Sequence, residues 1–291
     1  MNTNRILVTG ATGNVGREVV TCLESMGAPV VAALSTEATA ARMPHGVEAR
    51  ILRFGDESTY AAAFEGVDRL FLMRPPQIAD VRRYLFPVID FARKAGVEHI
   101  VFLSLLGVEN KRIVPHYKVE QHLLTAGVPS TFLRPSFYMQ NLSSTHREEI
   151  LEDDVISVPV GAAKTSFIDV RDIGEVAAHV LTTEGHEGRA YDLTGPEALD
   201  YREVAQIFTD VLGRRIAYTN PSPVRFYLKA RRQGVQRKFA LVMVALYTAT
   251  RFGSGEKVSD DVEHLLGRPP TSMRRFVEDY AEVWMPDAGS R

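Results

Sequence analysis

The sequence predicts an α/β protein built on a doubly wound parallel sheet, with a smaller, mostly helical C-terminal part. Three observations predict this class. Short apolar segments rich in Val, Ile and Leu alternate with longer amphipathic segments through the first half of the chain, as in βαβ units. Gly27, Gly96 and Gly127 each follow an amphipathic segment, where helices commonly end. From about Leu142 the alternation breaks into shorter pieces, and a mostly helical tail is predicted after Leu199.

The elements follow in a regular order. Six strands are predicted, at RILVTG, PVVAAL, EARILRF, DRLFLM, HIVFLS and STFLRP. The helices predicted between them cover residues 15–26, 59–64, 78–95 and 116–126. A seventh strand-like run, SFIDV, leads into a helix over residues 171–182. We expect one domain over residues 1–155 with return elements near 165–195, and a smaller part over 156–291.

Composition limits the classes of partner. The apolar fraction of 45% is ordinary for a globular protein of 291 residues. A net charge of -2 gives no general reason to expect nucleic acid or an anionic membrane as partner, so a small molecule is favoured. The single cysteine, Cys22, argues against a disulfide framework or a Cys-rich metal site and fits a reducing compartment. The histidines show no HExxH or other ligand spacing, so no metal site is predicted.

Two segments bear on location. The first residues, MNTNRILVTG, lack the charged, apolar and small-residue succession of a signal peptide. The longest apolar run near the C-terminus, FALVMVALYTA, is too short to span a bilayer. We therefore expect a cytoplasmic protein, and we expect this run to close a substrate cleft or to form a subunit contact in a homodimer.

A glycine-rich loop joins the first predicted strand to the first helix. The loop reads GATGNVG, and its glycines are evenly spaced. Glycines let the backbone turn tightly and approach a pyrophosphate, whose charge then meets the N–H groups and the positive end of the helix. Because a strand, the loop, a helix and a second strand follow in order, the segment predicts a dinucleotide site, the alternative being a plain tight turn. The expected contacts come from Gly10, Thr12, Gly13, Asn14, Val15 and Gly16.

The end of the second strand bears on which dinucleotide binds. NAD-binding proteins commonly carry an acidic residue there, and this chain has Ser35 and Thr36. These hydroxyls and Arg42 could donate to a 2′-phosphate, so NADP (NADPH) is favoured, while the nearby Glu37 keeps NAD open. Asp56, just after the third strand, is placed to meet the adenine edge, or alternatively to cap the helix that follows it.

At this point the sequence resembles the NmrA-like branch of the atypical short-chain dehydrogenases/reductases, particularly its bacterial quinone reductases and triphenylmethane-dye reductases. The resemblance covers nearly the whole chain and implies a Rossmann domain on NAD(P) with a C-terminal part covering the nicotinamide end. The motifs that carry it are LVTGATGNVG, HIVFLSLLGV, HYKVEQHLLTAGVPSTFLRPSFYMQNL, FIDVRDIGEVAAHVL, YDLTGPEALDYREVAQIFTDVLGR and LLGRPPTSMRRFVEDYA.

The resemblance also implies where the active site lies. The family's usual catalytic Tyr and Lys fall at Arg112 and His116, so the dyad is missing. Some family reductases without the dyad carry a His at this place with a Glu four residues later, which His116 and Glu120 match. Ser104, at the end of the fifth strand, falls where the family's active-site Ser lies.

Other residues are also expected near the cleft, each with an alternative role. Tyr117 and Lys118 are adjacent and point about 100° apart on a helix, so they cannot form a facing pair. Tyr138 lies in the loop after the sixth strand, where parallel-sheet ligands bind, and is a candidate substrate contact. The segment after the fourth strand contains Met73, Arg74, Pro75 and Pro76, and it falls where the family's backbone meets the nicotinamide ribose, although a Pro-Pro corner is equally a rigid loop.

The missing dyad points to particular acceptors. Hydride addition to a ketone makes an alkoxide whose conjugate acid has a pKa of ~15.7. Addition to a quinone makes a phenolate-like anion with a conjugate acid near ~10, and the gap of roughly six units is worth on the order of 8 kcal/mol. His116, in the first turn of its helix, is a candidate neutral donor, opposed by the carboxylate of Glu120 one turn along. Alternatively, His116 only binds the nicotinamide ribose, or it is structural.

We therefore expect an NADPH-preferring reductase that transfers hydride directly, without a flavin, to quinones or similar electron-poor conjugated compounds. One alternative is a dinucleotide-binding redox sensor without turnover. Another is a tailoring reductase or isomerase of secondary metabolism.

Overall fold

The computed structural model describes residues 4–43, 46–253 and 255–285, and the side chains of Ala41 and Arg42 lie outside the description. In the described residues, the strands are β1 Ile6–Val8, β2 Val30–Leu34, β3 Glu48–Ile51, β4 Arg69–Met73, β5 His99–Leu103, β6 Ser130–Pro135, β7 Val155–Ser157, β8 Ala190–Leu193 and β9 Ala217–Thr219.

The helices alternate with these strands and then dominate the C-terminal third. They are α1 Asn14–Ser25, α2 Tyr60–Phe64, α3 Val81–Tyr84, α4 Phe86–Lys94, α5 Pro115–Ala126, α6 Gln140–Ser143, α7 Arg147–Glu152, α8 Val170–Thr182, α9 Tyr201–Leu212, α10 Pro223–Arg232, α11 Arg237–Arg251, α12 Asp261–Leu266 and α13 Met273–Asp279. Short 3-10 helices cover Glu37–Arg42, Glu57–Thr59, Val108–Asn110 and Ala281–Trp284.

Seven parallel strands form the main sheet. Their order is β3-β2-β1-β4-β5-β6-β8, with β1 paired to both β2 and β4. The chain thus winds outward from β1 in two directions, and β1 and β5 are buried along their whole length, as expected for a sheet covered on both faces. The predicted α/β class with a doubly wound Rossmann sheet is confirmed.

The structure divides into two compact units. The first comprises the described residues up to Pro135, then Val170–Leu193 and Asp261–Arg268, and it contains the main sheet. The second comprises Ser136–Asp169, Thr194–Asp260 and the described residues from Pro269 on. The domain limits given above remain a prediction.

A buried polar cluster joins several helices within the second unit. Nδ1 of His146 lies 2.7 Å from Oε1 of Glu149, and its Nε2 lies 2.6 Å from the hydroxyl of Tyr247. Lys229 donates to Oε2 of Glu149 at 2.7 Å. The cluster therefore links α7 to α10 and α11, and no motif in the sequence pointed to it.

Two predicted elements are wrong in detail. SFIDV is not a sheet strand, because Ile168 forms only an isolated bridge to Tyr138, and the seventh strand of the main sheet is β8. The helix predicted over residues 78–95 begins at Val81 and is interrupted at Leu85. Pro87 explains the interruption, since it lacks the N–H that a continuous helix requires there.

Within the described residues, no helix is both long and apolar enough to cross a membrane. The same residues contain no cluster of three or more His, Cys, Asp or Glu side chains that could hold a metal ion.

Candidate dinucleotide and substrate site

The glycine loop is packed too closely to accept a side chain at Gly10 or Gly16. Gly10 has a φ of +67°, and its carbonyl accepts a hydrogen bond from the N–H of Gly13 at 2.8 Å. A Cβ added to Gly16 would lie 2.2 Å from the carbonyl oxygen of Gly10. Only glycine at both positions lets α1 begin directly against the turn that follows β1.

The N-terminus of α1 can receive an anion. Its N-cap is Gly13, no side chain caps it among the described residues, and its first turn contains no acidic residue. The N–H groups of that turn and the helix dipole therefore favour a negative group, and the residues present fit the pyrophosphate of a dinucleotide. Asn14 is exposed at this end, Val15 is buried beneath it, and the carbonyl of Thr12 accepts from Arg17 at 3.5 Å.

Thr9 ties the glycine loop to the end of β4. Its buried hydroxyl donates to the carbonyl of Phe71 at 3.0 Å and accepts from the backbone N–H of Met73 at 2.8 Å. These bonds hold Met73 over the loop, so that a Cβ on Gly10 would lie 2.1 Å from Cε of Met73. Sequence analysis missed Thr9, although its position at the end of the first strand could have indicated it.

The residues after β2 and β3 lie at the same edge of the sheet as the glycine loop. Ser35 and Thr36 are exposed, and the carbonyl of Ser35 accepts from Nε of Arg53 at 3.2 Å. Asp56 precedes the 3-10 helix Glu57–Thr59, but its carboxylate makes no capping bond to that helix. It accepts from the hydroxyl of Ser58 at 2.6 Å, which is the main reason that the pKa of Asp56 is lowered. The side chain of Arg42 lies outside the described residues.

His116 lies in the first turn of α5 and is held by the segment after β4. Nε of Arg74 donates to Nε2 of His116 at 3.4 Å. Nη1 of Arg74 is anchored in turn by the carbonyls of Pro75, Pro76 and Ile78, at 3.0, 3.2 and 2.7 Å. The ring of Phe102, from β5, lies 6.1 Å from the imidazole between centroids. Sequence analysis placed Arg74 at this edge without assigning it the contact.

These neighbours set the protonation of His116. Burial, and secondly the charge of Arg74, lower the pKa of His116 to about 3. Because Arg74 donates to Nε2, the hydrogen of the neutral imidazole is on Nδ1. His116 is therefore a neutral hydrogen-bond donor at physiological pH. Of the two protonation states that the sequence left open for this residue, the structure favours the uncharged one.

Glu120 is not paired with His116. Its carboxylate is buried, 3% exposed, and accepts from Nε and Nη2 of Arg134 at 3.1 and 2.7 Å. Arg134 belongs to β6, so the bidentate pair fastens α5 to the sheet. The expectation that Glu120 would favour a charged His116 is wrong, since Arg134 neutralises this carboxylate.

Ser104 presents a buried hydroxyl at the carboxyl end of β5. Its residue is 3% exposed, and its Oγ has no hydrogen-bond partner within the described part of the chain. Its backbone N–H donates to the carbonyl of Leu133 at 2.7 Å, which fixes its position. A buried hydroxyl without a partner is costly unless a bound molecule satisfies it.

Tyr138 belongs to the second unit. It bridges to Ile168 through the backbone, and burial raises the pKa of its hydroxyl to about 12. The neighbouring Phe137 stacks on Tyr247, with 6.2 Å between ring centroids. Tyr138 is thus a neutral phenol that can donate a hydrogen bond.

Comparison with known proteins gives consistent matches over most of the chain. The model of the NmrA-like family matches residues 2–264. The NAD(P)H azoreductase of Xenophilus azovorans is 32% identical over 284 residues, which cover 96% of this chain and 99% of that protein.

Two solved structures share the fold. Triphenylmethane reductase of Citrobacter sp., complexed with NADP(H), superposes with a TM-score of 0.85 at 28% identity, covering 94% of this chain and 99% of that one. The NADPH-dependent quinone oxidoreductase QOR2 of Escherichia coli, complexed with NADPH, gives 0.84 at 27% identity, covering 95% and 99%.

Proposed function

The chain belongs to the NmrA-like family, and from this we propose that it is an NADPH-dependent reductase of quinones and similar electron-poor conjugated compounds. Its relatives include an NAD(P)H azoreductase, a triphenylmethane reductase and a quinone oxidoreductase, and two of their structures contain NADP(H) or NADPH. All of these names describe reduction of conjugated molecules. The chain is accordingly an oxidoreductase that uses NADPH.

The residues that would hold NADPH lie along one edge of the sheet. Gly10, Gly13 and Gly16, with the N-terminus of α1, would receive the pyrophosphate. Met73 and Pro75 would meet the nicotinamide ribose, and Ser35 and Thr36 would meet the adenosine end. Bound NADPH supplies a hydride, and the chain supplies the geometry in which it is used.

The observation that carries the proposal is the neutral imidazole of His116. Its Nε2 is occupied by Arg74 and its pKa is about 3, so it carries no acidic proton to give at physiological pH. Loss of the hydrogen on Nδ1 would leave an imidazolide anion, which is a poor outcome in a buried site. We therefore assign His116 the role of orienting the nicotinamide ribose or the acceptor by a hydrogen bond.

A site without a strong acid suits acceptors that form stable anions. The anion formed from a quinone is phenolate-like, with a conjugate acid roughly six units more acidic than that of an alkoxide, a difference on the order of 8 kcal/mol. Water can protonate such an anion after hydride transfer. Cationic dyes need no proton at all, because hydride addition neutralises their charge. Catalysis then depends on holding the reactants in the right geometry.

The remaining site residues have supporting roles in this proposal. Ser104 would donate its unpartnered hydroxyl to the acceptor or to the nicotinamide. Tyr138 would contact the acceptor as a neutral phenol. Glu120 would position His116 indirectly, because its pair with Arg134 fixes α5.

Two features of cellular context belong to the proposal. The protein would act in the cytosol, in keeping with its single cysteine. It could pair as a homodimer through the outward apolar side chains of α11, such as Leu241, Val242 and Leu246, which are about half exposed.

The proposal is tested by following NADPH oxidation with a small panel of acceptors. The panel contains a benzoquinone, a naphthoquinone, a cationic triphenylmethane dye and a simple ketone, with NADH in parallel. Turnover of the quinones or the dye but not the ketone is expected. Turnover of the ketone at a comparable rate would mean that the site supplies an acid after all. Tight NADPH binding without any turnover would favour the sensor or a dedicated biosynthetic substrate.

A further inference from the structure

Arg53 brings a guanidinium to the end of β2, where the sequence has no basic side chain directly after the strand. β2 and β3 are parallel neighbours, with Leu34 opposite Ile51. The pairing extends one residue further, because the N–H of Leu52 donates to the carbonyl of Leu34 at 2.9 Å. The segments that follow β2 and β3 therefore leave the sheet side by side. Arg53, the residue after Leu52, lies beside Ser35.

The side chain of Arg53 is held but accessible. Its Nε donates to the carbonyl of Ser35 at 3.2 Å, and its Nη1 lies 3.6 Å from Oδ2 of Asp56. Its backbone N–H donates to Oγ1 of Thr59 at 3.1 Å, which fixes the start of the side chain. The side chain is nevertheless 52% exposed. A guanidinium that neighbouring oxygens hold in one orientation, and that is also exposed to solvent, is suited to bind an anion from solution.

We propose that Arg53 recognises the 2′-phosphate of NADPH and so sets the preference for NADPH over NADH. The inference rests on the proposed function, which requires a dinucleotide on the glycine loop after β1. In a doubly wound sheet, the adenosine ribose lies at the carboxyl end of the strand next to that loop, which here is β2. The exposed hydroxyls of Ser35 and Thr36 stand at the same place.

The chemistry of the guanidinium accounts for the discrimination. Its planar set of N–H groups binds two phosphate oxygens at once, which a neutral ribose hydroxyl cannot match. NADH would leave Arg53 with the ion pair to Asp56 that the described residues show, and without a phosphate partner. Because the contact with a 2′-phosphate is between charges near the surface, the affinity for NADPH should fall with added salt more steeply than the affinity for NADH.

Calorimetry of the full chain tests the inference without turnover. Dissociation constants are measured for NADPH, NADH and 2′,5′-ADP with the wild type, Arg53→Ala and Arg53→Lys. Arg53→Ala should weaken binding of NADPH and 2′,5′-ADP by about tenfold to a hundredfold, as expected for one charged hydrogen-bonded contact. Binding of NADH should change less than about twofold, and Arg53→Lys should fall between. Arg93→Ala, which removes the same charge from an exposed position of α4, is the matched control and should leave all three dissociation constants unchanged.

The outcomes separate this inference from the proposed function. If Arg53→Ala keeps the preference for NADPH, Arg53 is not the specificity residue, although the reductase proposal stands. If the variant loses NADH and NADPH affinity equally, Arg53 only supports the site and the inference is overturned. If the wild type binds neither dinucleotide, the proposed function itself fails. Thermal unfolding of each variant shows whether it is folded, as expected for a substitution at a half-exposed side chain.

Discussion

Nε of Arg74 lies 3.4 Å from Nε2 of His116 and donates a hydrogen bond to it. This contact occupies the nitrogen that would otherwise take up a proton, and it places a positive charge beside the ring. Together with burial, that charge lowers the pKa of His116, which supports the proposal that this residue orients a ligand but does not protonate it.

His116→Ala should reduce turnover of quinones by about tenfold or less, because water supplies the proton and only positioning is lost. Since the pKa of His116 is about 3, the imidazole stays neutral from pH 5 to 9, and it should add no ionisation to the pH dependence of kcat. Steady-state kinetics of wild type and variant over this range provide the check. A loss above about a thousandfold, or an ionisation near pH 6.5 that disappears in the variant, would show that His116 is an acid.

Ser104→Ala should increase the stability of the protein and decrease its activity. In the free protein the buried Oγ has no partner among the described residues, so its removal should raise the free energy of unfolding by about 1 kcal/mol. The same variant should lower kcat/KM by about threefold to tenfold, because the hydroxyl is needed only when ligands are bound. Urea unfolding and quinone kinetics measure the two effects.

The matched control for Ser104 is Thr131→Val. Thr131 is also buried and on a neighbouring strand, but its hydroxyl has two partners, His99 and the carbonyl of His186. This variant should lose stability and keep its kcat/KM. If Ser104→Ala destabilises the protein as Thr131→Val does, the hydroxyl of Ser104 has a structural partner and is not reserved for ligands.

Gly16→Ala should disrupt the dinucleotide site. The new Cβ would lie 2.2 Å from the carbonyl oxygen of Gly10, so the loop or α1 must shift. We expect a loss of about 1–3 kcal/mol in the free energy of unfolding, as for overpacked sites, and at least a tenfold loss of NADPH affinity. Gly66→Ala is the control. There an added Cβ meets no described atom within 4 Å, so this change should cost stability through its φ of +65° and leave NADPH affinity intact.

His99 should make the protein sensitive to acid. Its Nε2 lies 2.8 Å from Oγ1 of Thr131, and its buried Nδ1 has no partner within the described residues. Burial lowers the pKa of His99 to about 4, below the unfolded value of about 6.5, so the neutral form stabilises the fold. This stability is complete above the unfolded pKa and is lost as the pH falls from about 6.5 toward 4.

Between pH 7 and 5, His99 should account for about 2 kcal/mol of lost stability. Urea unfolding of His99→Gln should therefore show a smaller drop over this interval than the wild type, by about that amount. His264→Gln, at an exposed position of α12, should show the wild-type drop. An equal drop in His99→Gln and wild type would assign the acid sensitivity to other groups.

Much of the sheet could be predicted from the sequence because its signals are local. The six strands from RILVTG to STFLRP, the glycine loop and the start of α5 at Pro115 all depend on residues next to each other in the chain. β8 was missed because it is short and partly exposed, and SFIDV was misassigned because β-rich composition does not reveal whether a partner strand is available.

The side-chain contacts of the site could not be predicted because they join distant segments. Arg74 reaches His116 across 42 positions, and Arg134 reaches Glu120 across 14. Arg53 meets Ser35 only because β2 and β3 pair in one register. Sequence patterns indicate which strand end a residue follows, but not the direction that its side chain takes afterwards.

The neutral His116 has a consequence for the breadth of substrates. A reductase that offers no proton cannot assist the reduction of a compound that accepts hydride poorly. The set of compounds that it reduces then depends on how readily each one accepts electrons, more than on its shape. Electron-withdrawing substituents on a benzoquinone would then increase the rate of its reduction, and electron-donating substituents would decrease it, because they raise or lower the stability of the reduced anion. Such an enzyme would reduce many different oxidants, and the reduction potential of each compound would determine whether it is a substrate.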